Sequence, residues 1–274
     1  MNKTEKKMVE ILSDLRERFH VTGVKAEFEA EATRMEEAML LKDVVSRAGV
    51  SLNIKIGGCE AIKDMFDAIA LGAERIIAPM VETPYALKKF LGAARIAFVN
   101  GGFDDCERLI NLETITSFEN FDKMLEIPEI SQLHGIVIGR VDLTGSLGLN
   151  RDDVNGKRVL DLSLAAAAKA KEKGMQVVVG GGVSSHSRDF FKAFPVGHLD
   201  RFETRKVIFS APGAINNPDD AYLRAVEFEV LWLKNKKEYY GAIYREDDAR
   251  IKMLDERYRK SIEASHQRNG NAVG

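Results

Sequence analysis

The sequence predicts an α/β protein built as a (β/α)8 TIM barrel, with an N-terminal helix and extra C-terminal helices. Three observations carry that prediction. Eight short β-like runs alternate with helix-patterned segments. The chain has 274 residues, 45% of them hydrophobic, enough for one large core. The first strand is followed by EATRMEEA, where a doubly wound sheet would carry a glycine-rich nucleotide turn.

Residues 4–19 put Met8, Ile11, Leu12, Leu15 and Phe19 on one helical face, an amphipathic helix closing one end of the fold. The predicted strands are 24–30, 52–56, 75–80, 95–99, 108–113, 135–141, 176–181 and 200–209. Between them, Ile62, Met65, Phe66 and Ile69 form an apolar stripe that Gly72 ends. Thr83 and Pro84 read as an N-cap with proline at the first helical position. Thr116 and Glu119 suit a capping box. The stretch 157–173, with four consecutive alanines, is helix-prone and stops at Gly174. The link from 95–99 to 108–113 is too short for a full crossover helix.

After the last strand, Asn217 and Pro218 open a long helix to about Tyr240, and a second, charged helix runs from about Tyr244 to Ser261. The expected organisation is a barrel over 1–215, a helical extension over 216–262 serving as a homo-oligomer contact, and a disordered tail over 263–274.

The 40 basic and 42 acidic residues nearly cancel, which argues against nucleic-acid or membrane-surface partners. No apolar run approaches the ~20 residues of a membrane helix, and the start lacks the apolar core of a signal peptide. The two cysteines, Cys59 and Cys106, point to packing roles in a reducing cytoplasm.

Alternation within the strands puts charges where a barrel interior would be. Lys25, Glu27 and Glu29 share one face, as do Asn53 and Lys55, Asn111 and Glu113, Arg140 and Asp142, and Arg201, Glu203 and Arg205. Buried charges must be paired or metal-bound, so a network of internal ion pairs is one reading. Glu113 and Asp142, however, fall at C-terminal strand ends, the catalytic rim of such barrels. Two hard carboxylates there suit Mg²⁺ or Mn²⁺. In GGGVSS, Gly181, Gly182 and Ser184 are candidate substrate contacts through backbone N–H groups, or simply parts of a tight turn. His186 reads as a surface residue. Lys55 and Lys206 are candidates for an imine route, which the carboxylate pair makes less economical.

INLET, holding Glu113, and GRVDLTGSLG, holding Asp142, resemble the metal-binding pair of the HpcH/HpaI aldolase and citrate lyase β-subunit family. GAERIIAPMVETPYALKKF (72–90) is similar to its third-strand segment, and AEFEAEATRMEEA more loosely to its first acidic strand. The likeness covers about residues 24–183. It implies a phosphoenolpyruvate/pyruvate-type barrel whose Glu113 and Asp142 hold a divalent metal, acting on a carbon–carbon bond next to a 2-oxo acid or acyl-CoA. Lys55 stands where the family commonly has arginine, and Arg140 where it often has proline. No histidine follows the first strand, since His20 precedes it. The expected machinery is then Glu113 and Asp142 on metal, Lys55 and Arg140 balancing enolate charge, and Glu29 ordering the site. The alternatives are a transferase or mutase on a phosphoenolpyruvate-like substrate, with 180–185 on phosphate, and a non-catalytic barrel subunit.

Overall fold

The computed structural model describes residues 1–98 and 105–270. Eight strands close into a barrel in sequence order: β1 (Val21–Glu27), β2 (Ser51–Lys55), β3 (Arg75–Ala78), β4 (Glu107–Leu112), β5 (Gly135–Gly139), β6 (Gln176–Gly180), β7 (Arg201–Glu203) and β8 (Val207–Ser210). Neighbours from β1 to β7 are parallel, whereas β8 runs antiparallel to both β7 and β1.

The strand count matches the expectation through two compensating differences. The expected strand at 95–99 is absent: Pro84–Ala97 is one helix, and Phe98 lies past its end. Leu87, Leu91, Ala94 and Phe98 are buried at helical spacing, so Phe98 completes a helical stripe, while Ile96 of the same apolar run is exposed. Val99 falls outside the described residues. Conversely, the expected strand at 200–209 is two. Thr204 donates N–H to Val207 O at 2.9 Å, and its Oγ1 accepts from Val207 N at 3.0 Å, closing a turn between β7 and β8.

The helices follow their caps. Asn2 and Glu5 form a capping box on the first helix (Lys3–Phe19), which packs on the helix Met35–Ala48 and on β1. Arg16 Nη1 donates to Ala48 O at 2.9 Å, satisfying an orphan carbonyl of that second helix. Thr83 caps Ala86 N as expected, with Pro84 following. The next cap is Thr114 with Ser117, rather than Thr116 with Glu119. Asn217 does not cap: its Nδ2 donates to Phe19 O at 2.7 Å.

The chain divides into two compact units, Met1–Glu229 and Val230–Gly274. One helix, Asp219–Gly270, stands where two were expected. Gly241 costs a helix only about 1 kcal/mol, and i,i+4 pairs such as Arg250–Glu246, Lys252–Asp248 and Lys260–Glu256 favour continuity. The last four residues of the expected disordered tail lie outside the described residues. Among the described residues no helix is long and apolar enough to cross a membrane.

Inside the barrel, inward residues form three levels. At the N-terminal strand ends, Arg75 pairs with Glu107 and donates to Ser51 Oγ and Asn53 Oδ1, while Gln176 bridges Glu107 and Arg201. Above this floor, Ile77, Leu109, Val137 and Val178 make an apolar plug. Above the plug, at the C-terminal ends, charges return.

Candidate active site

A cavity of about 410 Å³ opens over the plug, with Val137 at its base. Strands supply Lys25, Glu27, Lys55, Asn111 and Glu203 to its wall, and Glu113 follows directly on β4. The side-chain period of two delivers these groups inward while their neighbours Val24, Ala26, Ile54, Ile110 and Leu112 pack outward at 0% exposure.

Two linked ion clusters result. Lys25 Nζ lies 2.6 Å from Glu203 Oε1 and 3.0 Å from Glu27 Oε1. Burial opposes the Lys25 charge, but the two carboxylates outweigh it and hold its pKa above the ordinary lysine value. Burial likewise works against the Glu27 carboxylate, and Lys25 more than offsets it, so Glu27 titrates below its usual range. Lys55 Nζ lies 2.8 Å from Glu29 Oε2 and 3.6 Å from Glu113 Oε2. There too burial is outweighed, by Glu113 and then Glu29, and the Lys55 pKa is raised.

Glu113 is held through both oxygens at 2% exposure. Oε1 accepts Met80 N–H at 2.9 Å, and Oε2 accepts Asn111 Nδ2–H at 2.7 Å. Met80 adopts φ +52°, a left-handed conformation that a long side chain rarely takes. That strain turns its N–H onto the carboxylate. Gly139 permits the approach from the other side, since a Cβ there would sit 2.7 Å from Glu113 Cβ.

The other expected site residues fall less uniformly. Asp142 is exposed and lines the same cavity as Glu113. It does so from a helix, Arg140–Ser146, because β5 stops at Gly139 rather than running on to Val141. Alternation therefore does not extend to Arg140. That side chain is fully buried and donates to Gly180 O, Gly181 O and Asn155 Oδ1, and it is not part of the cavity wall. This corrects its placement on the inward face with Asp142; the inward residues of β5 are Val137 and Gly139. Glu29 lies on the loop after β1, not on the strand, and meets the cavity only through Lys55. Gly181 and Gly182 line the cavity, but Ser184 does not, being engaged in a capping box with Ser187. His186 is exposed in that turn. His20 sits at the floor, its carbonyl accepting Ser210 N–H at 2.9 Å.

Lys206 pairs with Glu31, away from the cavity wall. Burial lowers its pKa against the pull of Glu31. Burial raises the Cys106 pKa to about 12 and also raises that of Cys59; neither lines the cavity, in keeping with packing roles.

Asn111 is the residue that sequence reasoning passed over. Its Oδ1 is buried and accepts no hydrogen bond among the described residues, an orphan acceptor in the cavity wall. The only signal was its place two residues before Glu113 on the inward face. Among the described residues, no group of three or more His, Cys, Asp and Glu side chains is placed to hold a metal. The cavity does present three hard oxygen donors: Glu113, Asp142 and the Asn111 amide. That donor chemistry fits Mg²⁺ or Mn²⁺, ions that complete their shells with water and substrate.

No family model matches the sequence, and no curated protein matches it. Solved structures with a similar fold include an HpcH/HpaI aldolase from Desulfitobacterium hafniense DCB-2, at 14% identity over 86% of this chain and 90% of that chain, TM-score 0.61. An HpcH/HpaI aldolase/citrate lyase family protein from Burkholderia cenocepacia J2315 is 13% identical over 84% and 90%, TM-score 0.60. The citrate synthase SbnG is 13% identical over 84% and 90%, TM-score 0.57. At these identities the likeness is one of fold, and the chain has the barrel fold of the HpcH/HpaI aldolase and citrate lyase-type structures that its INLET and GRVDLTGSLG segments resemble.

Proposed function

We propose that the chain is a carbon–carbon lyase of the aldolase type, acting on a 2-oxo acid with Mg²⁺ or Mn²⁺. The observation that carries this reading is Glu113: a carboxylate at 2% exposure, fixed by a strained backbone N–H, beside an orphan amide oxygen and sharing its cavity with the exposed Asp142. A purely structural ion pair needs neither the strain nor the orphan.

Glu113 and Asp142 are the residues that would hold the cation, with Asn111 Oδ1 beside them. Once bound, it would polarise the 2-oxo acid and favour its enolate. Lys55 supports this from the protein side. Its raised pKa keeps it an ammonium, which places positive charge beside Glu113, where it would offset negative charge developing on a bound 2-oxo acid. The same protonation makes Lys55 a poor imine-forming nucleophile, in line with the metal route. Glu29 orients Lys55 through their 2.8 Å pair.

The test is exchange of the pyruvate methyl protons for deuterium, followed by proton NMR. Exchange is expected with Mg²⁺ or Mn²⁺ and not in excess chelator. Asp142→Asn is expected to slow it by about 100-fold and to weaken Mn²⁺ binding in parallel. Wild-type exchange in chelator or in Asp142→Asn, or no exchange with any of a panel of 2-oxo acids, overturns the reading.

A further inference from the structure

Arg140 is a buried cation without a carboxylate partner among the described residues; burial alone lowers its pKa, to about 10. Burying a guanidinium this way is costly unless its donors are all used. Here Nε donates to Gly180 O at 3.1 Å, Nη2 to Gly181 O at 2.7 Å and to Ser187 Oγ at 3.3 Å, and Nη1 to Asn155 Oδ1 at 2.6 Å. The ring of Phe190 lies 4.6 Å below it.

The two carbonyl contacts have a geometric consequence. The peptide bonds are trans, so each N–H points opposite to the C=O of the same unit. Drawing the Gly180 and Gly181 carbonyls onto Arg140 turns the N–H groups of Gly181 and Gly182 away from it. Neither N–H makes a hydrogen bond among the described residues, and both glycines line the cavity. Their φ angles are +77° and +65°, and a Cβ at Gly181 would meet Val141 N at 2.7 Å. Consecutive N–H groups presented by such a turn form a concavity suited to an anion.

The Asn155 contact ties Arg140 to a second element, the 3-10 turn Arg151–Asn155. Arg151, at its start, is exposed, forms no ion pair among the described residues and lines the same cavity. It also lines an adjoining hollow of about 560 Å³ that shares Val141 and Asp142. Two backbone donors and one guanidinium without partners among the described residues thus belong to residues that border one space, beside the site proposed for the 2-oxo acid.

We infer that Arg140 is a positioning residue that builds an anion subsite from Gly181 N–H, Gly182 N–H and the Arg151 guanidinium, and that this subsite receives the carboxylate or phosphate at the far end of the substrate. As a substrate subsite it rests on the lyase reading; as an anion site it stands without it. The charge that Arg140 keeps under the loop adds to the attraction, and its fork geometry fixes both carbonyls at once.

Titration calorimetry on the full chain tests this with inorganic phosphate and, separately, glutarate. At least one is expected to bind, the tighter one assigning the tail as phosphate or carboxylate. Arg151→Ala is expected to weaken that binding at least tenfold, Arg151→Lys to restore part of it, and Lys63→Ala, on a distant exposed side chain, to leave it unchanged. Arg140→Lys and Asn155→Ala are expected to weaken it too. Asn155→Ala combined with Arg151→Ala is expected to lose less than the product of the two single effects, because Asn155 acts partly through the turn that carries Arg151, whereas Arg140→Lys should still weaken the Arg151→Ala variant through the two glycine N–H groups. Binding of neither anion, equal loss in Lys63→Ala, or wild-type affinity in both Arg140→Lys and Asn155→Ala overturns the inference. Absent anion binding with intact pyruvate exchange removes the subsite and spares the lyase reading; the reverse result spares the anion site alone.

Discussion

The two ends of the barrel carry similar residues and behave differently. At the floor, Arg75, Glu107, Gln176 and Arg201 bridge one another, with Ser51 Oγ and Asn53 Oδ1 both accepting from Arg75 Nη1. At the mouth, Lys25, Glu27, Lys55, Glu113 and Glu203 form comparable pairs. A hollow exists at both ends, about 400 Å³ at the floor and about 410 Å³ at the mouth. What distinguishes the mouth is what remains unused: the Asn111 Oδ1, the exposed Asp142 and Arg151, and backbone held at a strained angle beneath Glu113. Buried charge alone therefore does not identify a site. Unspent valence does.

The largest effect should come from exchanging one carboxylate at each end. Glu113→Gln is expected to reduce pyruvate deuterium exchange by about 1,000-fold, whereas Glu107→Gln should stay within a few-fold of wild type. Equal losses would erase the distinction between mouth and floor.

The plug between them carries the next largest effect, on stability. Leu109 is 1% exposed among Ile77, Val137 and Val178. Leu109→Ala is expected to cost about 2–5 kcal/mol in urea unfolding, since the surrounding strands cannot collapse into the gap.

The smallest effect concerns the floor and pH. Burial works against the Glu107 carboxylate, but Arg75 and Gln176 outweigh it, so its folded pKa lies below the usual value. Such a group contributes stability above the unfolded pKa of about 4.3, and that contribution is lost as pH falls through the lower folded value. Arg75→Met should cost about 1 kcal/mol at pH 7, a figure discounted for the water that reaches the pair, and the difference from wild type should shrink below about pH 4. A difference that grows on acidification would reverse the assigned sign.

Much of the mouth was legible because a period of two is robust inside a strand. It placed Lys25, Lys55 and Glu113 inward, and each lines the cavity. The same rule failed on β5 because its inward face was chosen from Arg140 and Asp142, which lie past Gly139 in a helix, whereas the strand itself turns Val137 and Gly139 inward. Glu29 slipped for a related reason: β1 starts at Val21 and ends at Glu27, leaving Glu29 on a loop. The run at 95–99 was ambiguous because a short apolar segment reads equally as buried strand or as the end of a helical stripe. The orphan state of Asn111 and the strain at Met80 depend on contacts between distant segments, which no local pattern encodes.

The reversal of β8 has a topological consequence for the whole cylinder. The chain enters the barrel at Val21 and leaves it at Ser210, and these points are neighbours at the floor: Val21 pairs with Phe209. In an all-parallel barrel the final strand would end at the mouth, and the chain would have to leave among the loops that surround the cavity. Here the way in and the way out share the far end. Insertions beside those two points, ahead of Val21 or just after Ser210, can therefore be accommodated at the floor, before the helix Asp219–Gly270 brings Val226 and Glu229 back to the mouth cavity.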